Sequence, residues 1–439
     1  MESHINNSNK NNFNILILGE YLFYIGIFLL SSLVPIGVLF LILSILIVIF
    51  KFGSHFFVER YNFIFFLISI FLISSTLYTH IFSESFNLEK YESTTNWLSL
   101  VNWIPFFIAF RAFQFYLKTS TKREKFIKVL IAGSFPVFIS IIAQYHFNIF
   151  GPFSIFNGLI IWFQKPLVLD NANAKTGVAG LFSNPNYTAY WLSTILPLTI
   201  YLFTSRSKKI LRKIFTFLLL SAVIYFLILT DSRNGFLSIF VSFYFMFGLK
   251  IFVIIGLILF FIFTIYFLLK PFLPMEILAI TEKLFERSLF IKITNINFKN
   301  ISLFTRIDLF YKTINFILEK PIFGWLAGSF SAIYLLRGGS FSIQHTHNLF
   351  LQVAFDYGII PALLLFSTIF YLLINSYIKI FHKENNSTLN KAWFTMTLVS
   401  VIFHFFDIPY FDVRISILFW VYLAGLKSYL DEKNKLIKF

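Results

Sequence analysis

The stretch Gln344-His345-Thr346-His347-Asn348-Leu349-Phe350-Leu351-Gln352, continuing through Asp356-Tyr357-Gly358-Ile359-Ile360-Pro361, joins two unlike pieces of chain. Ahead of it lies the one long hydrophilic segment, residues 271–346, and behind it an apolar run continues to about Asn375. Such a run is long enough to cross a bilayer, which takes about 20 residues of helix. Comparable runs recur, and twelve segments are expected to span: 14–31, 34–50, 62–82, 97–117, 126–149, 187–204, 214–230, 235–249, 251–269, 358–378, 391–407 and 413–429. Composition agrees. Of 439 residues, 58% are hydrophobic, 64 are Phe and only 13% are charged, whereas a soluble domain is about one-quarter charged. The expected fold class is all-α: a polytopic integral membrane protein of about 12 transmembrane helices with one large, partly helical outer loop.

Charge gives the map an orientation. With the N-terminus in the cytoplasm, the cytoplasmic segments hold twenty Lys or Arg and the short outer segments five: Lys90, Lys165, Lys175, Arg233 and Arg414. The positive-inside rule therefore puts both termini in the cytoplasm and the loops near 150–186 and 271–346 outside. It also accounts for most of the net charge of +16, so no nucleic-acid partner is implied. The chain divides into a membrane part, 1–270, the large loop, 271–346, and the last three spans with the tail, 347–439. Residues 1–13 are polar without a cleavable-signal pattern, so the first run reads as a retained span. With no cysteine, disulfides, thiolate nucleophiles and Cys-ligated zinc are excluded.

The large loop carries eight Lys or Arg against five Asp or Glu, and it is too long for the orientation rule to constrain. Its basic excess points to an anionic ligand. Within it, Thr305–Lys320 reads as an amphipathic helix along the outer membrane surface, with Ile307, Phe310, Ile314 and Ile317 on one face and Asp308, Lys312, Asn315 and Glu319 on the other; Pro321 stops it. In the earlier outer loop, the apolar patch Phe153–Phe163 is expected on the membrane surface, and Phe182-Ser183-Asn184-Pro185-Asn186 signals a turn and a helix start.

His347 is the expected working residue, because imidazole titrates near neutrality and sits where a lipid-borne and a water-borne reactant can meet. Two histidines bonded only to backbone remain the alternative. Residues two apart face opposite sides of a helix, so His345 and His347 are not a metal pair of the i,i+4 kind, and no metal or other cofactor is expected. Asn348, Gln352 and Asp356 make a polar stripe expected to face a wet cavity. Arg233, in the turn Asp231-Ser232-Arg233-Asn234-Gly235, would hold a phosphate with its planar fork or else pair locally with Asp231. Arg306 and Arg337 are further candidates. Glu20, His404 and Asp407 are intramembrane ionisable groups whose role is left open. There is no P-loop and no G-x-S-x-G motif.

These motifs resemble those of the bacterial O-antigen ligase and O-antigen polymerase superfamily. Thr346-His347-Asn348 with Gly358-Ile359-Ile360-Pro361 is similar to its His-Asn…Gly-x-x-Gly signature, with Pro361 in place of the second glycine. Asp231-Ser232-Arg233-Asn234-Gly235 resembles its Ser-Arg turn, Asn184-Pro185-Asn186 its Asn-Pro-Asn element, and Arg306 through Gly324 its outer-loop helix. The resemblance covers roughly residues 180–375. It implies a metal-independent, inverting glycosyltransferase of the bacterial inner membrane. The enzyme would move an oligosaccharide from undecaprenyl pyrophosphate to a hydroxyl acceptor at the periplasmic face, the acceptor being the lipid A core for a ligase or a second lipid-linked repeat for a polymerase. Taken with the residue reading, it makes His347, Arg233 and Arg306 the expected catalytic residues and His345, Asn348, Asn184 and Arg337 the expected substrate-binding ones. A protein O-oligosaccharyltransferase of the same superfamily, a lipid-linked oligosaccharide flippase and a purely structural subunit are the alternatives. A flippase would carry cationic groups through the membrane interior and pseudo-symmetric halves; here the polar residues gather at one surface.

Overall fold

The computed structural model describes residues 2–56, 58–82, 93–167, 177–205, 209–272, 274–275, 302–339, 343–382 and 387–434. Much of the outer loop, 276–301, therefore lies outside the described residues. The described chain is mostly helical: α1 (Glu2–Leu29), α2 (Val34–Phe52), α3 (Arg60–Ile81), α4 (Ser93–Leu98), α5 (Ile104–Tyr116), α6 (Ser120–Gly133), α7 (Phe135–His146), α8 (Pro185–Thr204), α9 (Ile210–Leu229), α10 (Arg233–Phe247), α11 (Leu249–Leu269), α12 (Ser302–Glu319), α13 (Phe330–Leu336), α14 (Leu349–Tyr357), α15 (Ile359–Tyr377), α16 (Thr388–Phe403) and α17 (Val413–Asn434). Each of the twelve segments expected to span is helical.

Eight helical stretches among the described residues are long and apolar enough to cross a membrane. The other four expected spans, in α1, α8, α10 and α16, are shorter or more polar. For α8 and α16 the reason is their position. They pack on each other, and nearly every α8 side chain from Thr188 to Tyr201 is buried. A helix walled in by protein need not be greasy all round. It can carry Thr, Ser and Asn, provided they are satisfied. Tyr190 hydrogen-bonds Ser400 across this pair, and Thr194 and Thr199 bond back to their own helix. The buried indoles follow the same rule: Trp191 donates to Ser134 Oγ at 3.0 Å, Trp393 to the Tyr422 carbonyl at 3.0 Å and Trp420 to the Tyr410 hydroxyl at 2.8 Å.

Polar contacts sort the helix ends into two sets. At one end Lys122 pairs with Glu20 (2.8 Å), Lys427 with Glu59 (2.9 Å) and Arg123 with Glu432 (2.5 Å). Glu20 thus has a partner in a half-exposed pair, an interaction that contributes little. At the other end Trp162 donates to the Ser32 carbonyl, Val178 to Leu229, Tyr410 to Asn102 and Leu349 to His404.

Phe153–Ile155 and Ile160–Trp162 pair as an antiparallel hairpin, a small β element in a mostly helical chain. One local reading, the single apolar face of the outer-loop helix, differs from the structure. Residues Leu309, Thr313, Phe316 and Ile317 of α12 are buried, while Ile307, Tyr311, Ile314 and Leu318 are exposed. The helix therefore has two apolar faces with a polar strip between, and the single face drawn from Ile307, Phe310, Ile314 and Ile317 mixes them. Past its end the chain folds tightly over α14: Trp325 N–H donates to the Phe355 carbonyl (2.7 Å) and Ile359 N–H to the Pro321 carbonyl (2.8 Å). Gly358 has φ +99°, and a Cβ there would lie 2.1 Å from the Ile322 carbonyl oxygen. Only glycine meets both demands. Pro361 falls in the first turn of α15, where its missing N–H costs no helical bond.

Candidate functional site

His347 occupies a bend rather than a helix. Its φ is +53°, a left-handed conformation that costs a non-glycine residue roughly 1 kcal/mol and is held by its surroundings. Those surroundings are local and polar. Asn348 caps α14, its Oδ1 accepting from Leu351 N–H at 3.0 Å, while its Nδ2 donates to the Phe405 carbonyl at 3.2 Å. Thr346 Oγ1 donates to the Asn348 carbonyl at 2.7 Å. His345 Nδ1 accepts the His347 backbone N–H at 3.2 Å, which folds the two rings edge to face with centroids 4.4 Å apart. The histidines do meet, through a bend that spacing alone does not reveal.

The partner of His347 comes from far along the chain. Its Nδ1 lies 3.0 Å from Asp407 Oδ1, in the turn between α16 and α17. A carboxylate only accepts, so Nδ1 carries the proton and Nε2 keeps its lone pair. The His347 side chain is 31% exposed and that of Asp407 5%, so the imidazole reaches the surface and the carboxylate lies beneath. Asp407 also accepts from Ile408 N–H (2.9 Å) and, at Oδ2, from Asn186 Nδ2 (2.8 Å). Burial alone would raise the Asp407 pKa. The His347 hydrogen bond and the nearby histidines outweigh it and bring the carboxyl below the ordinary range. Burial, then His347, push His345 down to about 4, which leaves it neutral and able to accept the His347 amide.

Arg306, near the start of α12, lies within electrostatic reach of both Asp407 and Arg233. The residue as a whole is exposed, but partial burial of its charged group lowers its pKa. The like charge of Arg233 adds to this and Asp407 opposes it. Arg233 is the first residue of α10, behind a Ser232 cap, and is also exposed. Arg306 is thus within electrostatic reach of the His–Asp pair and Arg233 within reach of Arg306, an arrangement suited to an anion near a proton acceptor. His345, His347 and Asp407 can bring one ligand atom each within 4.8 Å of one another. The Asp407 oxygens already accept three hydrogen bonds, one of them from His347 itself.

The other expected residues are engaged as follows. Asn184 caps α8, accepting from Asn186 N–H at 2.8 Å. Arg337 is held by Glu319 (2.6 and 2.7 Å) and lies over the Trp325 ring at 4.9 Å, and none of its described contacts reaches His347. The Asn348 amide is committed to its cap and to Phe405. Gln352 and Asp356 are buried, so their stripe faces protein and not a wet cavity. Gln352 accepts from Thr346 N–H (3.0 Å) and donates to Asp356 (2.9 Å), whose pKa burial pushes up to about 7. His404 is buried, its Nδ1 bonded to the Ser400 carbonyl, and its own carbonyl holds Leu349 N–H. Two residues of the cluster are not among the expected site residues: Asp407 reads in sequence only as an ionisable group near a helix end, and Asn186 as part of a turn signal and of the Asn-Pro-Asn element.

Residues 215–367 match the model of the O-antigen ligase family. The match bears out the resemblance carried by the motifs and, with the apolar helices, marks a multi-pass membrane protein with a domain of glycosyl-transfer type. Arg233, Arg306 and His347 fall inside the matched stretch; Asn186 and Asp407 fall outside it. Among curated proteins none matches the chain.

Proposed function

We propose that the protein is an inverting glycosyltransferase that moves an oligosaccharide from a polyprenyl diphosphate to a hydroxyl acceptor on the outer face of the bacterial inner membrane, with both termini cytoplasmic. The observation that carries this reading is the His347–Asp407 pair, with Arg306 within electrostatic reach of Asp407 and Arg233 within reach of Arg306. In the reaction, the acceptor oxygen attacks the anomeric carbon and forms the new glycosidic bond. The bond from that carbon to the diphosphate oxygen breaks. The acceptor proton passes to His347 Nε2, and Asp407 stabilises the imidazolium that results. The leaving diphosphate gains negative charge, which the two guanidiniums offset; arginine suits this because its fork matches phosphate oxygens and stays charged. No step requires a metal.

Lipid A core, a second lipid-linked repeat and a protein hydroxyl are all compatible acceptors, since each offers the same attacking group. His345 and Asn348 act on substrate through the shape they give the His347 bend, while Asn184 and Arg337 serve the scaffold. The test is transfer by purified protein from a polyprenyl-diphosphate oligosaccharide to each acceptor class, with chelator present. No transfer to any of them would sink the proposal, and activity lost to chelator would overturn its metal-free chemistry.

A further inference from the structure

Resting on that reading, we infer that Asn186 is a positioning residue for the His347–Asp407 pair, holding the second carboxylate oxygen so that the first stays turned to the imidazole. A carboxylate is free to rotate about its Cβ–Cγ bond, and the two donors on Oδ1, His347 Nδ1 and Ile408 N–H, constrain one end only. Asn186 Nδ2, at 2.8 Å from Oδ2, pins the other. Asn186 is itself placed firmly. Asn184 accepts its backbone N–H at 2.8 Å, and Pro185 between them enters the helix with a restricted φ. The Asn-Pro-Asn sequence thus divides its labour: the first amide caps α8, the proline starts it, and the second reaches a carboxylate 221 positions away.

The choice of an amide is chemically specific. A lysine or arginine at 186 would offset the Asp407 charge and weaken its support for a protonated His347. An aspartate would set a second negative charge against the first. Asparagine donates a hydrogen bond and adds no charge. A mere staple between α8 and the α16–α17 turn would need only some favourable contact and would leave the proton affinity of His347 alone. The other titratable or charged groups near the pair are His345 on its own segment, Arg306 on α12, Arg233 on α10, Tyr187 on α8, and His404, Asp412 and Arg414 around the α16–α17 turn. None of them changes in the test.

Two variants of the full-length protein, Asn186→Asp and Asn186→Leu, separate the roles. The first readout does not depend on transfer: the rate of diethyl pyrocarbonate modification of His347 against pH, followed by mass spectrometry of its peptide. Asn186→Asp should raise the midpoint by about one pH unit, since a second carboxylate favours the imidazolium. In the transfer assay, Asn186→Leu should lower kcat by roughly tenfold with little change in donor KM, and the acid limb of the Asn186→Asp profile should move up with the modification midpoint. A His347 midpoint that stays put in Asn186→Asp, or a kcat unchanged in Asn186→Leu, would overturn the inference. If the wild type transfers no oligosaccharide, the proposed function falls, while the modification midpoints still decide the role of Asn186.

Discussion

Replacing Asp407 with asparagine changes two atoms' chemistry and almost no volume, which makes it the sharpest probe of the proposed base. The native carboxylate accepts three hydrogen bonds, two at Oδ1 and one at Oδ2. An amide cannot satisfy all three. With its oxygen toward His347 and Ile408, its NH2 confronts the Asn186 NH2, donor against donor. Turned the other way, its NH2 faces His347 Nδ1 and forces the ring proton onto Nε2, where the lone pair is needed. The first orientation loses a charge-assisted bond, on the order of 1.5–3 kcal/mol, or roughly 10- to 150-fold in rate. The second removes the base from use and approaches the 10²–10⁴-fold typical of losing one, again in order of magnitude. We expect kcat to fall on the order of 10²-fold with acceptor KM little altered. The measurement is initial transfer rate from purified lipid-linked donor, at matched amounts of folded protein. A kcat within about threefold of wild type would refute the dyad and leave His347 without a functional partner.

Further expectations follow from the same geometry. His347→Ala should lower transfer by about 10²–10⁴-fold while the protein inserts and accumulates normally, and normal glycan attachment in such a strain would retire the assignment. Arg233→Lys keeps the charge but loses the fork, so it should remain strongly impaired; near-normal activity together with a dead Asp231→Ala would make Arg233 a turn residue. Alkaline phosphatase fused within 290–300 should be active and fused after residue 435 inactive, and the reverse pattern would invert the topology. For pH, His345 titrates at about 4 when folded against an ordinary 6.5, so between those values the unfolded chain binds a proton that the folded chain refuses. Stability should therefore fall as pH drops from 6.5 toward 4, by up to about 3 kcal/mol. Thermal unfolding in detergent at both ends of that window checks it: an equal pH dependence in His345→Asn would show that His345 contributes nothing.

What the sequence determined by itself is what short range decides. Hydropathy and the length of a membrane crossing set where the helices run, because lipid penalises every unpaired backbone group and leaves helix as the economical solution. Pro321 marks the end of the outer-loop helix, and His347 stands out as a titratable group at the mouth of an apolar run. Tertiary structure decided which polar residues meet. Asp407 lies 60 positions after His347, and Asn186 lies 221 before Asp407; no periodicity links them, since their meeting depends on how α8 and the α16–α17 turn are brought together. The same distance explains why Asn184, Asn186 and Asn348 look alike in the sequence. An asparagine beside a helix start has two uses, capping its own backbone or reaching across to another segment, and its neighbours in sequence look alike in both cases. Only the packed helix ends show that Asn184 and Asn348 cap while Asn186 reaches the carboxylate.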